Sequence, residues 1–296
     1  MIAVNELEQV RSVDAQISYL SSGSHINRRF VAPGAEMNTG SYELHPVSVR
    51  DGRTIKDRFN LDEHGFVLSE HASAVTDFRD SDEVDNIYSQ EVIDIVKQLT
   101  GADRVVSRGW MVRTSGDLPK REVVGYTHQG GVQPPAADAH VDFTPDTAER
   151  IARQTYEDNF PDEKAYSRFI ASSLWRTFSP PPQDWPLALC DGSTIGPDEG
   201  TPNTLVIVDE LPNRESMLGP LPDENKAIKA TVFQYNPDHC WWYFSNMNRN
   251  EVVLLKFHDS NDSKVMRVPH TAFHDPSFDD AKPRESIEVR SFAYFL

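Results

Sequence analysis

From Ser173 onward the chain is a succession of short apolar runs, and this feature limits its possible folds more than any other. Candidate strands fall at Ser173–Thr177, Leu187–Cys190, Thr204–Val208, Ala230–Tyr235, Cys240–Phe244, Val252–Phe257, Val265–His270 and Ile287–Phe295. Each is rich in β-branched or aromatic residues and is cut off by Asp, Asn, Gly or Pro, as at Ser179–Pro182. Earlier candidates lie around Arg29–Val31, Tyr42–Val49, Gly65–Leu68 and Arg104–Arg113. Helices are few. Val84, Ile87, Tyr88, Val92, Ile95, Val96 and Leu99 recur at helical spacing between Ser81 and Gly101, a helix that should pack on a sheet. Thr144 and Pro145 form an N-cap and N1 pair for a second helix, about Thr144 to Glu157. A short third helix is expected near Asp162–Phe169. Regular strand–helix alternation is absent, which excludes a parallel α/β sheet. The expected class is mainly β with flanking helices, a β-sandwich or double-stranded β-helix (jelly-roll) barrel in one domain over residues 1–296. Polar residues 1–26, with Ser-Ser-Gly-Ser at 21–24, read as a loosely attached N-terminal arm.

A formal charge of −17 and no basic stripe argue against nucleic acid as a partner. The two cysteines, Cys190 and Cys240, lack C-x-x-C spacing, which speaks against a disulfide scaffold or a thiolate zinc site. Residues Met1 to Arg11 contain no apolar leader, and no run approaches the length of a membrane span. The expectation is a cytoplasmic, unprocessed protein, with a homodimer left open.

The stretch Ala139-His140-Val141-Asp142-Phe143-Thr144-Pro145 places an imidazole and a carboxylate two residues apart. On extended backbone both side chains emerge on one side and can chelate one cation. With a second His, such a pair forms the two-His-one-carboxylate triad that leaves coordination positions open for Fe(II) chemistry. The spacing alone is weak: this composition yields roughly one or two such matches by chance, and a surface loop would carry it equally well. His270, His258 and His274 compete as third ligand. His274 precedes the turn signal Asp275-Pro276, and His258 precedes Asp259-Ser260-Asn261-Asp262. His239, after Asn236-Pro237-Asp238, reads as a turn residue.

The last strand has period two. Ile287, Val289, Ser291, Ala293 and Phe295 share one face; Arg284, Ser286, Glu288, Arg290 and Phe292 share the other if the strand extends back to Arg284. The second face would line a polar cavity. A guanidinium and a hydroxyl two residues on suit the far carboxylate of a dicarboxylic 2-oxoacid. The bland alternative for Arg284 is an exposed ion pair with Glu285 or Glu288. Trp241-Trp242-Tyr243-Phe244 reads as core, with Trp242 a weak pocket-wall candidate. Trp110, Met111 and Arg113 are equally weak candidates for substrate contacts.

His-x-Asp, a distal His and Arg-x-Ser on the last strand resemble the Fe(II)/2-oxoglutarate-dependent dioxygenases. The wording around Trp175-Arg176, Gln183–Asp191, Trp242–Ser245, His270–Phe273 and Pro283–Arg290 is similar to a secondary-metabolism branch of that family. This branch includes a gibberellin desaturase, a cephalosporin-methoxylation subunit and a meroterpenoid endoperoxide-forming enzyme. The resemblance spans roughly residues 40–296, and the chain departs from the family wording at Ser173, His258 and His274. It implies His140, Asp142 and His270 as iron ligands, and Arg284 with Ser286 as the 2-oxoglutarate anchor. Arg290 would be a second carboxylate contact or a partner for Glu288. Also implied are O2 and a hydrophobic small-molecule substrate, such as a terpenoid or meroterpenoid, that is hydroxylated, desaturated or converted to an endoperoxide. A metal-dependent hydrolase would use the same ligands with a bound water but has no need of Arg-x-Ser. A non-catalytic jelly-roll partner subunit would have lost ligands that this chain retains.

Overall fold

The computed structural model describes residues 10–33, 35–117 and 132–296, so part of the polar loop expected before His140 lies outside them. In chain order the described strands begin with β1 (Ser12–Leu20), β2 (Arg28–Ala32), β3 (Ala35–Asn38), β4 (Tyr42–Asp51), β5 (Phe66–Glu70) and β6 (Arg104–Thr114). They continue with β7 (Val132–Gln133), β8 (His140–Val141), β9 (Arg168–Thr177), β10 (Leu187–Cys190) and β11 (Thr201–Ile207). The last are β12 (Lys229–Val232), β13 (Trp241–Tyr243), β14 (Glu251–Asp259), β15 (His270–Ala272) and β16 (Glu285–Phe295). Ten strands form one sheet in the order β1-β4-β13-β10-β15-β8-β12-β11-β2-β3, and six form the other, β5-β14-β9-β16-β6-β7. The jelly-roll character expected from the sequence is present, but the sheets stay separate and make an open sandwich in place of a closed barrel.

Two apolar layers hold this arrangement. One lies between the sheets and joins Val49, Trp241 and Trp242 of the larger to Trp175, Val253, Leu255 and Phe292 of the smaller. The other lies outside the smaller sheet, where Val92, Ile95 and Val96 of the helix Ser89–Thr100 meet Val112, Ile287 and Val289. The apolar face of the last strand is therefore the outer one, covered by a helix. Its polar face looks into the sandwich.

The helix Pro145–Asn159 starts as its capping residues dictate, with the Thr144 hydroxyl accepting from the Thr147 amide. Three expectations need correction. Residues 12–20, assigned to a loose arm, are β1, paired with β4 along its whole length and fully burying Ile17 and Tyr19. No helix forms near 162–169; β9 begins at Arg168, and Tyr166 and Phe169 pack into an aromatic cluster with Tyr156 and Tyr294. Ladder pairing and ring packing there outweigh local propensity. The strand expected over Val265–His270 is confined to His270–Ala272, because Val268 donates singly to Lys256 and Pro269 has no amide to donate.

Because β1 belongs to the core, Ile17→Ala should lower the unfolding free energy by about 2–5 kcal/mol in a denaturant titration. A change within about 0.5 kcal/mol would mark the segment as dispensable.

Candidate metal and cosubstrate site

The polar face of β16 meets the end of β8 inside the sandwich. His140 of β8 and His270 of β15 are direct cross-strand partners, which sets their rings side by side at 4.5 Å between centroids. Asp142 follows β8 and precedes the cap of the helix Pro145–Asn159, so strand pairing and helix start fix its backbone from both sides. Its Oδ1 lies 3.5 Å from His140 Nε2 and 3.6 Å from His270 Nε2. One donor atom from each of the three residues falls within 4.8 Å of the others. The Nδ1 atoms point away, toward the Asp138 carbonyl at 2.7 Å and the Val268 carbonyl at 3.2 Å. Such bonds fix the tautomer and leave Nε2 free to coordinate.

Electrostatics around this cluster are unusual for a protein interior. Burial would push the Asp142 carboxyl up, but Arg290 and the two imidazoles outweigh it and hold it well below the usual range. Burial also opposes protonation of His140, yet its bond to Asp142 and the charges of Asp138 and Asp142 raise it on balance. His270 is driven down to about 4 by burial and by its neighbour His140. The Asp142 carboxyl is therefore held as a carboxylate between the two imidazoles.

Beyond the cluster, the cavity is lined by Arg113, Trp175, Leu187, Arg284 and Glu288 together with both histidines. Arg113 donates to both oxygens of Glu288, at 3.2 and 3.0 Å. Arg284 differs. It is 2% exposed, its Nη1 donates to the Trp185 carbonyl at 3.1 Å, and its Nε has no partner among the described residues. The Ser286 hydroxyl, 1% exposed, also lacks one. Burial, then the nearby Arg113, pull the Arg284 guanidinium down to about 9. The exposed pairing with Glu285 or Glu288 does not form: Glu285 pairs with Arg79 and Glu288 with Arg113. A buried guanidinium and hydroxyl with unused donors are the groups that a carboxylate of a dicarboxylic 2-oxoacid would need.

The remaining sequence candidates fall in different places. Arg290 bonds Asp142 through Nε and Nη2, both at 2.6 Å, and comes within 3.7 Å of Glu288. Met111 is the register partner of Glu288, while Arg113 reaches the cavity. Trp110 does not, because alternation turns it to the outer layer, where its Nε1 donates to Asp85 at 2.7 Å. Trp242 is 1% exposed, packed on Phe59 and under the Arg50 guanidinium, and does not line the cavity. His274 is exposed beside Trp185. His258 is buried in β14 against Phe169, apart from the triad. His239, read as a turn residue, follows a turn but is buried, binding Glu199 at 2.6 Å and Tyr19 at 3.2 Å. The sequence reading overlooked Leu187 and Trp175 as cavity walls; the alternation of β9, which sets Trp175 opposite Glu288, was the available signal.

A two-layer jelly roll that gathers two imidazoles and one carboxylate beside a buried guanidinium is the arrangement of a metal-dependent enzyme class. Residues 17–294 match the family model described as YDMC, Oxidoreductase/YMDC permease-like domain. No described helix is long and apolar enough to cross a membrane. Hydroxylase/desaturase efuI of Hormonema carpetanum is 31% identical over 86% of this chain and 85% of its own length. Fe(II)/2-oxoglutarate-dependent dioxygenase nvfI of Aspergillus novofumigatus is 30% identical over 88% of this chain and 87% of its own. The solved iron and alpha-ketoglutarate-dependent endoperoxidase NvfI superposes with a TM-score of 0.76 at 26% identity, covering 96% of this chain and 98% of that one. The chain belongs to this oxidoreductase family, in its branch of Fe(II)/2-oxoglutarate-dependent dioxygenases acting in secondary metabolism.

The displaced histidine offers a test of the packing. Burial holds the His258 imidazole down to about 4 in the folded chain. An unfolded histidine protonates near 6.5, so between these values the unfolded state binds more protons. This imidazole's contribution to stability is therefore complete above about pH 6.5 and is lost as pH falls toward 4, by on the order of 1–3 kcal/mol. In denaturant titrations across this range His258→Gln should flatten that part of the profile; an unchanged slope would place the titration elsewhere.

Proposed function

We propose that His140, Asp142 and His270 hold Fe(II), and that Arg284 with Ser286 receives the far carboxylate of 2-oxoglutarate. The observation that carries this reading is Arg284: a buried cation with an unused Nε, two residues from an unused Ser286 hydroxyl, lining the cavity that His140 and His270 also line. A metal hydrolase would gain nothing from that pair, whereas a dicarboxylic cosubstrate satisfies it. When bound, the iron with 2-oxoglutarate supplies the oxidation of a substrate C–H bond by O2.

The protein's own part is positioning and exclusion. The guanidinium fork and the hydroxyl orient one end of the cosubstrate, so that its keto-acid end is turned toward the triad. Trp175 and Leu187, together with Ala272, give the cavity an apolar wall that suits a hydrophobic small-molecule substrate and excludes water. The relatives' names, hydroxylase/desaturase and endoperoxidase, support an oxidation of this kind. Free thiols at Cys190 and Cys240 suit a reducing compartment, and a cytoplasmic location is part of the proposal.

Succinate formation measured against 2-oxoglutarate concentration tests the anchor. Arg284→Ala should raise the 2-oxoglutarate requirement about ten- to hundredfold, matching a lost charge-assisted contact of about 1.5–3 kcal/mol, while metal content is retained. Arg284→Lys should recover only part, since an ammonium cannot reproduce the fork. Ser286→Ala should cost less than Arg284→Ala. Undiminished succinate formation by Arg284→Ala would remove the anchor from this residue.

A further inference from the structure

Asp142 uses its two oxygens differently. Oδ1 faces the Nε2 atoms of His140 and His270, at 3.5 and 3.6 Å. Oδ2 is taken by Arg290, which donates from Nε and Nη2 at 2.6 Å each. The pair crosses the sandwich, because Asp142 follows β8 of the larger sheet and Arg290 lies in β16 of the smaller. Both ends are held. The backbone of Arg290 is flanked by Ser173 of β9 and Arg108 of β6, and its Nη2 lies 3.7 Å from Glu288, itself gripped by Arg113.

We propose that Arg290 is a positioning residue that ties up one oxygen of Asp142, so that the carboxylate offers a metal a single oxygen. The inference rests on the reading of His140, Asp142 and His270 as ligands. Three protein donors leave three positions of an octahedral metal open, enough for a two-point chelator and one further ligand. A carboxylate free to rotate could offer both oxygens and close one of those positions. The twofold contact on Oδ2 opposes that rotation, and its planar fork explains why an arginine stands here.

Co(II) titrated into the full chain without 2-oxoglutarate reports the ligand set through its visible d–d bands. Wild-type protein should develop bands that His140→Ala loses. Arg290→Gln, with its fold checked by circular dichroism, should still bind Co(II) but show bands of altered position and intensity. The 2-oxoglutarate concentration needed to perturb those bands should rise about tenfold, the scale at which partners of metal ligands act. Arg290→Lys should fall between, and it serves as the readout if the glutamine variant does not fold. Bands superimposable on wild type in the absence of cosubstrate would overturn the proposal, even with weakened 2-oxoglutarate binding, since Arg290 would then be a cosubstrate contact. A folded variant that no longer binds Co(II) would overturn it too, making Arg290 a determinant of metal binding itself. Failure of wild type to bind Co(II), or bands unchanged in His140→Ala, would instead sink the ligand assignment and is distinguishable from both.

Discussion

Charge buried in a protein interior must be paired, and at one end of this sandwich that requirement orders almost every polar side chain. Arg113, Glu288, Arg290 and Asp142 form a row of alternating sign that runs from β6 through β16 to the turn after β8. Breaking one link would leave a neighbour uncompensated in a region of low dielectric, where the penalty reaches several kcal/mol. The row therefore fixes more than Asp142. It also sets the separation of the two sheets at this end, since the pair of Arg290 with Asp142 spans them.

Arg284, just before β16, lines the same cavity as Glu288 but does not join the row, because the acids nearest in sequence are engaged elsewhere. Its guanidinium lies over the Trp175 ring and donates to the Trp185 carbonyl, with Nε left unpartnered among the described residues. In the proposed reading, that unused donor is what an incoming carboxylate would satisfy. Had Glu288 paired with Arg284, the guanidinium would have been satisfied internally. The choice of Arg113 as partner for Glu288 thus leaves Arg284 available for the cosubstrate contact proposed above.

Much of this was legible in the residues. The period of β16 predicted one apolar and one polar face, and Thr144-Pro145 predicted the helix that pins Asp142. The pairing of His140 with His270 could be expected only from the family resemblance, because cross-strand register between segments so distant in sequence depends on the order of the whole sheet. For the same reason Arg113 could be suspected of facing the cavity while its partner stayed hidden. β1 was misread because Ser12–Leu20 alternates polar with apolar residues, a pattern that only a covered face makes meaningful. Trp110 was misplaced through a single step of alternation, which exchanges cavity for outer layer.

The division of labour between the two faces of β16 explains how such a site stays rigid. A strand lined with Arg, Ser, Glu and Arg toward the interior would be a poor core element by itself. Here Ile287 and Val289 on its other face are buried under the helix Ser89–Thr100, and β9 and β6 hydrogen-bond it on both edges. The apolar layer that stabilises the strand is therefore separate from the cavity that uses it. Hydrophobic burial outside supports polar chemistry inside, and changes to the cavity wall need not disturb the packing that holds β16 in place.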